Sequence, residues 1–169
     1  MINKKLLKQL NDFVPTDKEI CYVNIGTPKL ICDTLAPLFG TLIKEKGVDI
    51  EVYGTLDAPL HALNLEGFNS FISTKDKFII AIDSCMGCDT NVKGEVYARC
   101  CPIYPGKGVG KKLTPIGDIS IIGITLFKGD NPYNNNLSLS MVYEMARDLV
   151  DTIVAFENER KNKKVVDKI

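Results

Sequence analysis

Four short segments of the chain are apolar and rich in β-branched residues. They cover residues 20–26, 48–54, 78–83 and 119–127, and the second alternates more than the others between apolar and polar positions. Strands that are apolar on both faces belong to a sheet that is covered on both sides. The pattern therefore predicts a central sheet buried between two layers.

Helical patterns lie between and beside these segments. Residues 33–47 place apolar side chains on one stripe that ends at Gly47, and residues 139–153 repeat apolar positions at helical spacing most clearly. Residues 59–72 form a weaker helical pattern, and residues 1–14 predict a short amphipathic helix. Strands that alternate with helices predict a three-layer α/β/α sandwich with a mainly parallel sheet.

Two other segments complete the predicted architecture. Residues 94–106 interrupt the alternation and predict an antiparallel hairpin or an edge strand. Beyond Glu157 the chain is polar and charged, which predicts a solvated tail from about residue 158. We find no internal repeat and no linker, so residues 1–169 are predicted to form a single domain.

Composition and charge narrow the classes of partner. The 169 residues include 21 basic and 21 acidic side chains, so net charge attracts neither nucleic acid nor an acidic membrane surface. No run of about 18 apolar residues predicts a membrane span, and the first residues lack the apolar core of a signal peptide. We therefore expect a cytoplasmic protein whose six cysteines are thiols.

The cysteines allow a metal site, a redox pair or simple packing. Cys85 and Cys88 have the spacing of zinc ligands, but Cys100 and Cys101 are adjacent and point their side chains apart. No clear helix follows the first pair, as a redox motif of low thiol pKa requires. We favour packing of free thiols, and we expect neither a bound metal nor a cofactor.

The segment YPGKGVGKKL, residues 104–113, is rich in glycine but lacks the spacing of nucleotide-binding motifs. A phosphate-binding loop needs glycine where Pro105 stands and serine or threonine where Lys112 stands. The three glycines are also spaced too closely for the dinucleotide-binding fingerprint. The sequence thus disfavours a nucleotide as the ligand.

Two sets of residues are candidates for substrate binding. The glycine-rich backbone suits the close approach of a ligand or an extended peptide, and its candidate residues are Gly106, Lys107, Gly108 and Gly110. His61 is the one histidine of the chain and a further candidate. Its apolar neighbours favour a structural or surface role for His61 over catalysis.

Two aspartates are the main candidates for chemistry. Asp83 ends a strand predicted to be buried, and Asp33 follows the first strand at the start of a helix. Ligands of open α/β sheets bind outside the carboxyl ends of the strands, so neighbouring strands would bring both acids to one crevice. Asp33 has an alternative role as a helix N-cap, whereas an ionised Asp83 requires partners. Both the paired-acid site and the structural role remain open at this point.

Three motifs resemble blocks of the bacterial spore germination protease, in the same order. NIGTPKLICDTLAP (24–37) aligns Asp33 with one aspartate of that family, AIDSC (81–85) aligns Asp83 with the second, and YPGKGVGKKL matches a glycine-rich loop. The chain is more similar still to the small sporulation protein family YyaC. VYGTLDAPLHALNLE, FIIAIDSCMG and IGDISIIG follow its pattern, and the similarity covers roughly residues 20–155.

The resemblance implies a fold, a site and a role. The fold is phosphorylase/hydrolase-like, as in the hydrogenase-maturation endopeptidases, with Asp33 and Asp83 as the catalytic pair. A role in spore formation and a protein or peptide substrate are also implied. The maturation enzymes hold nickel through a glutamate directly after the first aspartate and a second acid, and these positions correspond here to Thr34 and to residues near Val52 and Tyr53.

Three functions follow from the sequence. The first is a peptidase that uses the aspartate pair. The second is a non-catalytic sporulation protein that binds a peptide or a partner protein in the same crevice. The third, a nickel-dependent maturation peptidase, lacks two of the implied ligands. A structure separates these functions by showing whether Asp33 and Asp83 meet.

Overall fold

The computed structural model describes residues 1–73, 75–87, 93–106, 113–134 and 136–166. The strands in these ranges are β1 (Ile20–Asn24), β2 (Glu51–Tyr53), β3 (Phe78–Gly87), β4 (Val96–Arg99) and β5 (Ile119–Phe127). The α-helices are α1 (Lys4–Phe13), α2 (Leu35–Glu45), α3 (Leu65–Ile72) and α4 (Leu139–Val166), and a 3₁₀ turn, Ile31–Asp33, precedes α2. None of the described helices is both long and apolar enough to cross a membrane.

The strands form one sheet in the order β2-β1-β3-β5-β4, and only the β4–β5 pair is antiparallel. Successive residues of β1 face opposite sides, as the pleat of a strand requires. Tyr22 packs with α1, α2 and α4 on one side, and Val23 packs with α3 on the other. The predicted three-layer α/β/α sandwich with a mainly parallel sheet is therefore confirmed.

Helix α2 matches its predicted end, whereas α3 is shorter than predicted. Gly47 follows α2 at a φ of +69° and donates its N–H to the Lys44 carbonyl at 3.0 Å. The chain before α3 forms a turn, because the Asn64 side chain accepts from the His61 N–H and donates to the Pro59 carbonyl. These bonds compete with helical hydrogen bonds, so α3 begins only at residue 65.

Strand β4 is an antiparallel edge strand, as residues 94–106 predict. Its outward-facing backbone groups are occupied by side chains from the first helix and its N-cap. Asn3 donates to the Val96 carbonyl, and Gln9 accepts from the Ala98 N–H, both at 3.0 Å. An edge covered in this way does not offer a template for pairing with another strand.

The predicted solvated tail from about residue 158 is wrong at Arg160. Helix α4 continues through Val166, and the Arg160 side chain is 5% exposed. Its guanidinium donates to the carbonyls of Pro15 and Lys18, each at 2.7 Å, and lies over the Phe156 ring. A charged group is buried here because the connection between α1 and β1 presents unpaired carbonyls to it.

Candidate active site

A cleft of about 640 Å³ lies at the carboxyl edge of the sheet, and both Asp33 and Asp83 line it. Both side chains are half-buried. The walls around the two acids are mainly apolar, with contributions from Leu30, Ile103, Ile122, Leu126 and Pro132. The two candidate acids therefore share one apolar cleft, as the paired-acid hypothesis requires.

Asp83 lies in β3 at the level where the neighbouring strand β1 ends. The last pair between these strands is Asn24 with Ile82, whereas β3 stays paired with β5 as far as Gly87. The prediction that the strand ends at Asp83 is thus wrong, because pairing with β5 continues the strand for four more residues. The departure of β1 nevertheless leaves Asp83 open to the cleft.

The connection after β1 folds back to place Asp33 beside this opening. Gly26 has a φ of +148°, and a Cβ at this position would lie 2.3 Å from the Asp33 carbonyl oxygen. The Thr27 N–H donates to that oxygen at 3.0 Å, and the Thr125 hydroxyl donates to the Cys32 carbonyl at 2.8 Å. The connection can approach this closely only because residue 26 is glycine.

Asp33 does not act as the N-cap of α2. The N-cap is Thr34, which makes no side-chain capping bond to the helix. Its hydroxyl instead donates to the Leu30 carbonyl at 2.7 Å. The carboxyl of Asp33 accepts a backbone hydrogen bond from Thr27, which leaves it directed at the cleft side of the loop. The alternative prediction, that Asp33 is the N-cap of α2, is therefore wrong.

Ser84 connects the two acids. Its backbone N–H donates to the Asp83 carboxyl at 2.7 Å, and its hydroxyl hydrogen-bonds the Asp33 carboxyl. Ser84 is not among the residues predicted from the sequence, although a hydroxyl directly after Asp83 in AIDSC is a usable signal. Adjacent strand residues point to opposite faces, so this one residue can reach both acids at the edge of the sheet.

Their surroundings raise the pKa values of the two acids to different extents. Burial raises the pKa of Asp33 to about 6, against the hydrogen bonds from Thr27 and Ser84 that lower it. Burial also raises the pKa of Asp83 well above its usual range, and the negative charge of Asp33 raises it further. The Ser84 N–H and the Arg99 charge oppose this shift in Asp83. Asp83 is therefore the acid of the pair that keeps its proton to higher pH.

The candidate substrate-binding residues divide into three groups. Gly106 lines the cleft with a φ of +84°, a conformation that favours glycine. Lys107, Gly108 and Gly110 lie outside the described residues. His61 is not among the described residues that line the cleft, and its Nδ1 accepts the Leu63 N–H at 3.3 Å. His61 thus contributes to the turn before α3, and its role in substrate binding stays a prediction.

The five cysteines that the structure describes do not gather into one cluster. Cys21 and Cys32 are buried in the core, and burial raises the pKa of Cys21 to about 12. Cys100 is exposed, Cys85 lines the cleft, and Cys88 lies outside the described residues. Within the described ranges no three His, Cys, Asp or Glu side chains are placed to hold a metal ion.

The positions that correspond to nickel ligands carry no ligand in this chain. The Thr34 hydroxyl is bonded to backbone, and Val52 is buried in the core. The Tyr53 hydroxyl donates to Glu51 at 2.7 Å and is contacted by Lys75 at the same distance. The residues present therefore do not fit a nickel site, and we derive no chemistry from one.

Comparison with solved structures identifies the type of fold. The [NiFe] hydrogenase maturation protease HycI from Thermococcus kodakarensis KOD1 superposes with a TM-score of 0.58 at 16% sequence identity. The match covers 87% of this chain and 97% of that protein. At this identity the likeness shows the fold alone, and that fold is a peptidase-like α/β sandwich.

Comparison of sequences identifies the family. The uncharacterized protein YyaC of Bacillus subtilis (strain 168) is 37% identical over 139 residues, which are 79% of this chain and 67% of that protein. The resemblance to YyaC inferred from the motifs is therefore confirmed. A family model described as "Protein of unknown function (DUF1256)" matches residues 1–152, and the chain belongs to this family.

Proposed function

We propose that the protein is a peptide hydrolase that acts through Asp33 and Asp83. The observation that carries the proposal is one apolar cleft with two half-buried acids whose pKa values are both raised. Perturbed acids in a cleft are typical of catalytic sites. The peptidase-like fold supports this assignment, since related α/β sandwiches place their ligands at the same edge of the sheet.

The two acids take different roles in the proposed reaction. Asp33, ionised above about pH 6, accepts a proton from a water molecule whose oxygen attacks the peptide carbonyl carbon. Protonated Asp83 donates to the carbonyl oxygen as the tetrahedral intermediate forms. As the C–N bond breaks, the departing nitrogen takes up the proton held by Asp33, and one hydroxyl of the intermediate returns its proton to Asp83 as the carbonyl re-forms. Ser84 holds both carboxyls in place for these transfers.

The cellular setting of the proposal follows from the sequence motifs. Their resemblance to the spore germination protease and to the YyaC family supports a role in spore formation. The partner is then a protein or a peptide of the sporulating cell, in its cytoplasm. The apolar walls of the cleft suit apolar side chains of such a peptide, and Tyr104 and Tyr133 at 55% and 83% exposure add aromatic surface.

The second candidate is a protein that binds a peptide in this cleft without cleaving it. The observation that favours it is the apolar surface of Leu30 and Cys32 next to Asp33. On this side of the cleft few polar groups are available to stabilise charge that develops on a substrate, apart from Ser84 and the acids themselves. Binding and catalysis both require the same cleft, so one experiment separates them.

The test uses Asp33→Asn, Asp83→Asn and the control Asp17→Asn, which changes an exposed acid outside the cleft. Each protein is incubated with a pool of randomised peptides, and new amino termini are detected by mass spectrometry. We expect the wild type and Asp17→Asn to cleave equally, and each cleft variant to lose about 10²- to 10⁴-fold in rate. The wild-type kcat/KM should rise as pH increases through about 6.

The alternative outcome is equally specific. If the wild type cleaves no peptide but binds the pool, and both cleft variants bind it equally well, the second candidate is correct. If cleavage survives in both cleft variants, the aspartate pair is not the catalytic centre. Circular dichroism of each variant shows that lost activity does not reflect unfolding.

A further inference from the structure

Arg99 is the one basic side chain among the described residues that line the cleft. It ends strand β4 and is exposed, with Ser120 as its pairing neighbour on β5. The Arg99 Nε donates to the Ser120 hydroxyl at 3.3 Å, and Ser120 is fully buried. This bond fixes one side of the guanidinium, and within the described ranges its two terminal nitrogens have no hydrogen-bond acceptor.

The other two arginines of the chain have partners. Arg160 donates to backbone carbonyls, and Arg147 lies 3.8 Å from the Asp148 carboxyl. No carboxylate of the described residues lies within ion-pair distance of Arg99. Asp83 couples to Arg99 electrostatically, but burial raises the pKa of Asp83 and so disfavours its charged form. The Arg99 charge is thus available to an anion that enters the cleft.

The register of the sheet sets the distance from Arg99 to the acid pair. Arg99 pairs with Ser120, and Ser120 pairs with Ala81, two residues before Asp83 on β3. Paired residues share a face, so Arg99 and Asp83 lie on the same side of the sheet. With strands about 4.8 Å apart and a rise of about 3.3 Å per residue, their Cα atoms are roughly 12 Å apart.

We propose that Arg99 binds a carboxylate of the peptide substrate and places the susceptible bond over Asp83. The planar guanidinium presents paired N–H groups that match a carboxylate. The gap of roughly 12 Å, shortened by the long arginine side chain, spans at most about three residues of extended peptide. A carboxyl-terminal carboxylate would therefore direct cleavage to the last residues of a chain, and an acidic side chain would direct it beside an Asp or Glu.

The inference deepens the proposed hydrolase, and it is tested by binding so that the two can fail separately. Asp33→Asn serves as the background, because removal of the water-activating carboxylate allows binding to be measured without turnover. Three pools of randomised, N-acetylated pentapeptides without Asp or Glu are compared: free acids, carboxyl-terminal amides, and amides with one added Glu. Retention is measured by equilibrium dialysis and mass spectrometry, at low salt.

We expect the background protein to retain the free acids about 10- to 100-fold better than the plain amides. Adding Arg99→Ala should abolish this preference, and Arg99→Lys should keep part of it because a point charge lacks the paired donors. The matched control Arg147→Ala removes an exposed arginine outside the cleft and should leave the preference unchanged.

The third pool identifies the source of the carboxylate. Retention of the Glu-containing amides at the level of the free acids assigns Arg99 to acidic side chains, and retention of the free acids alone assigns it to chain termini. The inference is overturned if free acids and plain amides are retained equally and the added Glu brings no gain. It is also overturned if no pool is retained. Hydrolysis through Asp33 and Asp83 would stand or fall independently, on the aspartate variants above.

Discussion

At the scale of single residues, Asp33 affects stability as well as chemistry. Its pKa of about 6 in the folded protein lies above the ordinary value for an aspartate, because burial disfavours the charge. Between about pH 4 and pH 6 the folded state therefore binds more protons than the unfolded state. The free energy of unfolding falls as pH rises through this window, by at most about 3 kcal/mol, and stays lower above it.

This linkage predicts that Asp33→Asn stabilises the protein at neutral pH. The amide keeps an oxygen for the Thr27 and Ser84 hydrogen bonds but carries no charge to desolvate. We expect thermal unfolding at about pH 7.5 to move upward by roughly 2–8 °C, and the gain to shrink as pH falls and to vanish only near pH 3, below both pKa values. Asp17→Asn, at an exposed position, should change neither value. A gain of equal size at both pH values would contradict the origin in Asp33 ionisation.

At the scale of elements, two close approaches hold the Asp33 loop and α2 onto the sheet. The Asp33 carbonyl packs against Gly26, and Leu35 packs against Gly123 of β5. A Cβ at position 123 would lie 2.0 Å from the Leu35 Cδ2. Leu35 is fully buried at the first turn of α2. Because neither glycine has a side chain, the Asp33 turn and the start of α2 can lie close to the sheet.

Gly26→Ala should therefore disturb the site more than an ordinary glycine substitution. Gly47→Ala is the matched control, because Gly47 also has a positive φ but nothing lies within 4 Å of a Cβ there. We expect Gly47→Ala to lower the free energy of unfolding by about 1 kcal/mol, from backbone strain alone, and to keep peptide hydrolysis. Gly26→Ala should lower it further and abolish hydrolysis. Equal losses in denaturant titrations, with hydrolysis intact in both, would show that the loop adapts.

The sequence predicts the elements that depend on local pattern and misses those that depend on distant partners. The apolar runs of β1 and β5 and the glycine after α2 suffice to identify them. The extension of β3 to Gly87 depends on pairing with β5, which no local pattern shows. The convergence of Asp33 and Asp83 was predictable from the general position of ligands in α/β sheets. Arg99 was not, because its place in the cleft depends on which edge β4 joins.

At the scale of the whole molecule, α4 binds the first part of the chain through side-chain hydrogen bonds. At the middle of this helix, Thr152 accepts the Asn3 N–H at 2.9 Å and thereby contacts the N-cap of α1. Near its end, Glu157 accepts from the fully buried Tyr22 hydroxyl at 2.5 Å, and Arg160 binds the connection that leads into β1. Glu157 and Arg160 thus serve the core, although the composition of their segment alone resembles a solvated end.

Arg160→Ala tests whether this segment supports the fold. The substitution removes the donors of the Pro15 and Lys18 carbonyls and leaves space under the α1–β1 connection, so we expect a loss of about 2–3 kcal/mol in the free energy of unfolding. Thermal unfolding should fall by roughly 4–12 °C. Lys161→Ala, the exposed neighbour on the same helix, should stay within about 0.5 kcal/mol of the wild type. Equal, small effects of both variants in calorimetry would mean that residues after 157 behave as the solvated tail that the sequence predicts. A large loss confined to Arg160→Ala would instead show that the buried guanidinium stabilises the fold. Lys161 lies on the same helix but is exposed, so its truncation should cost little.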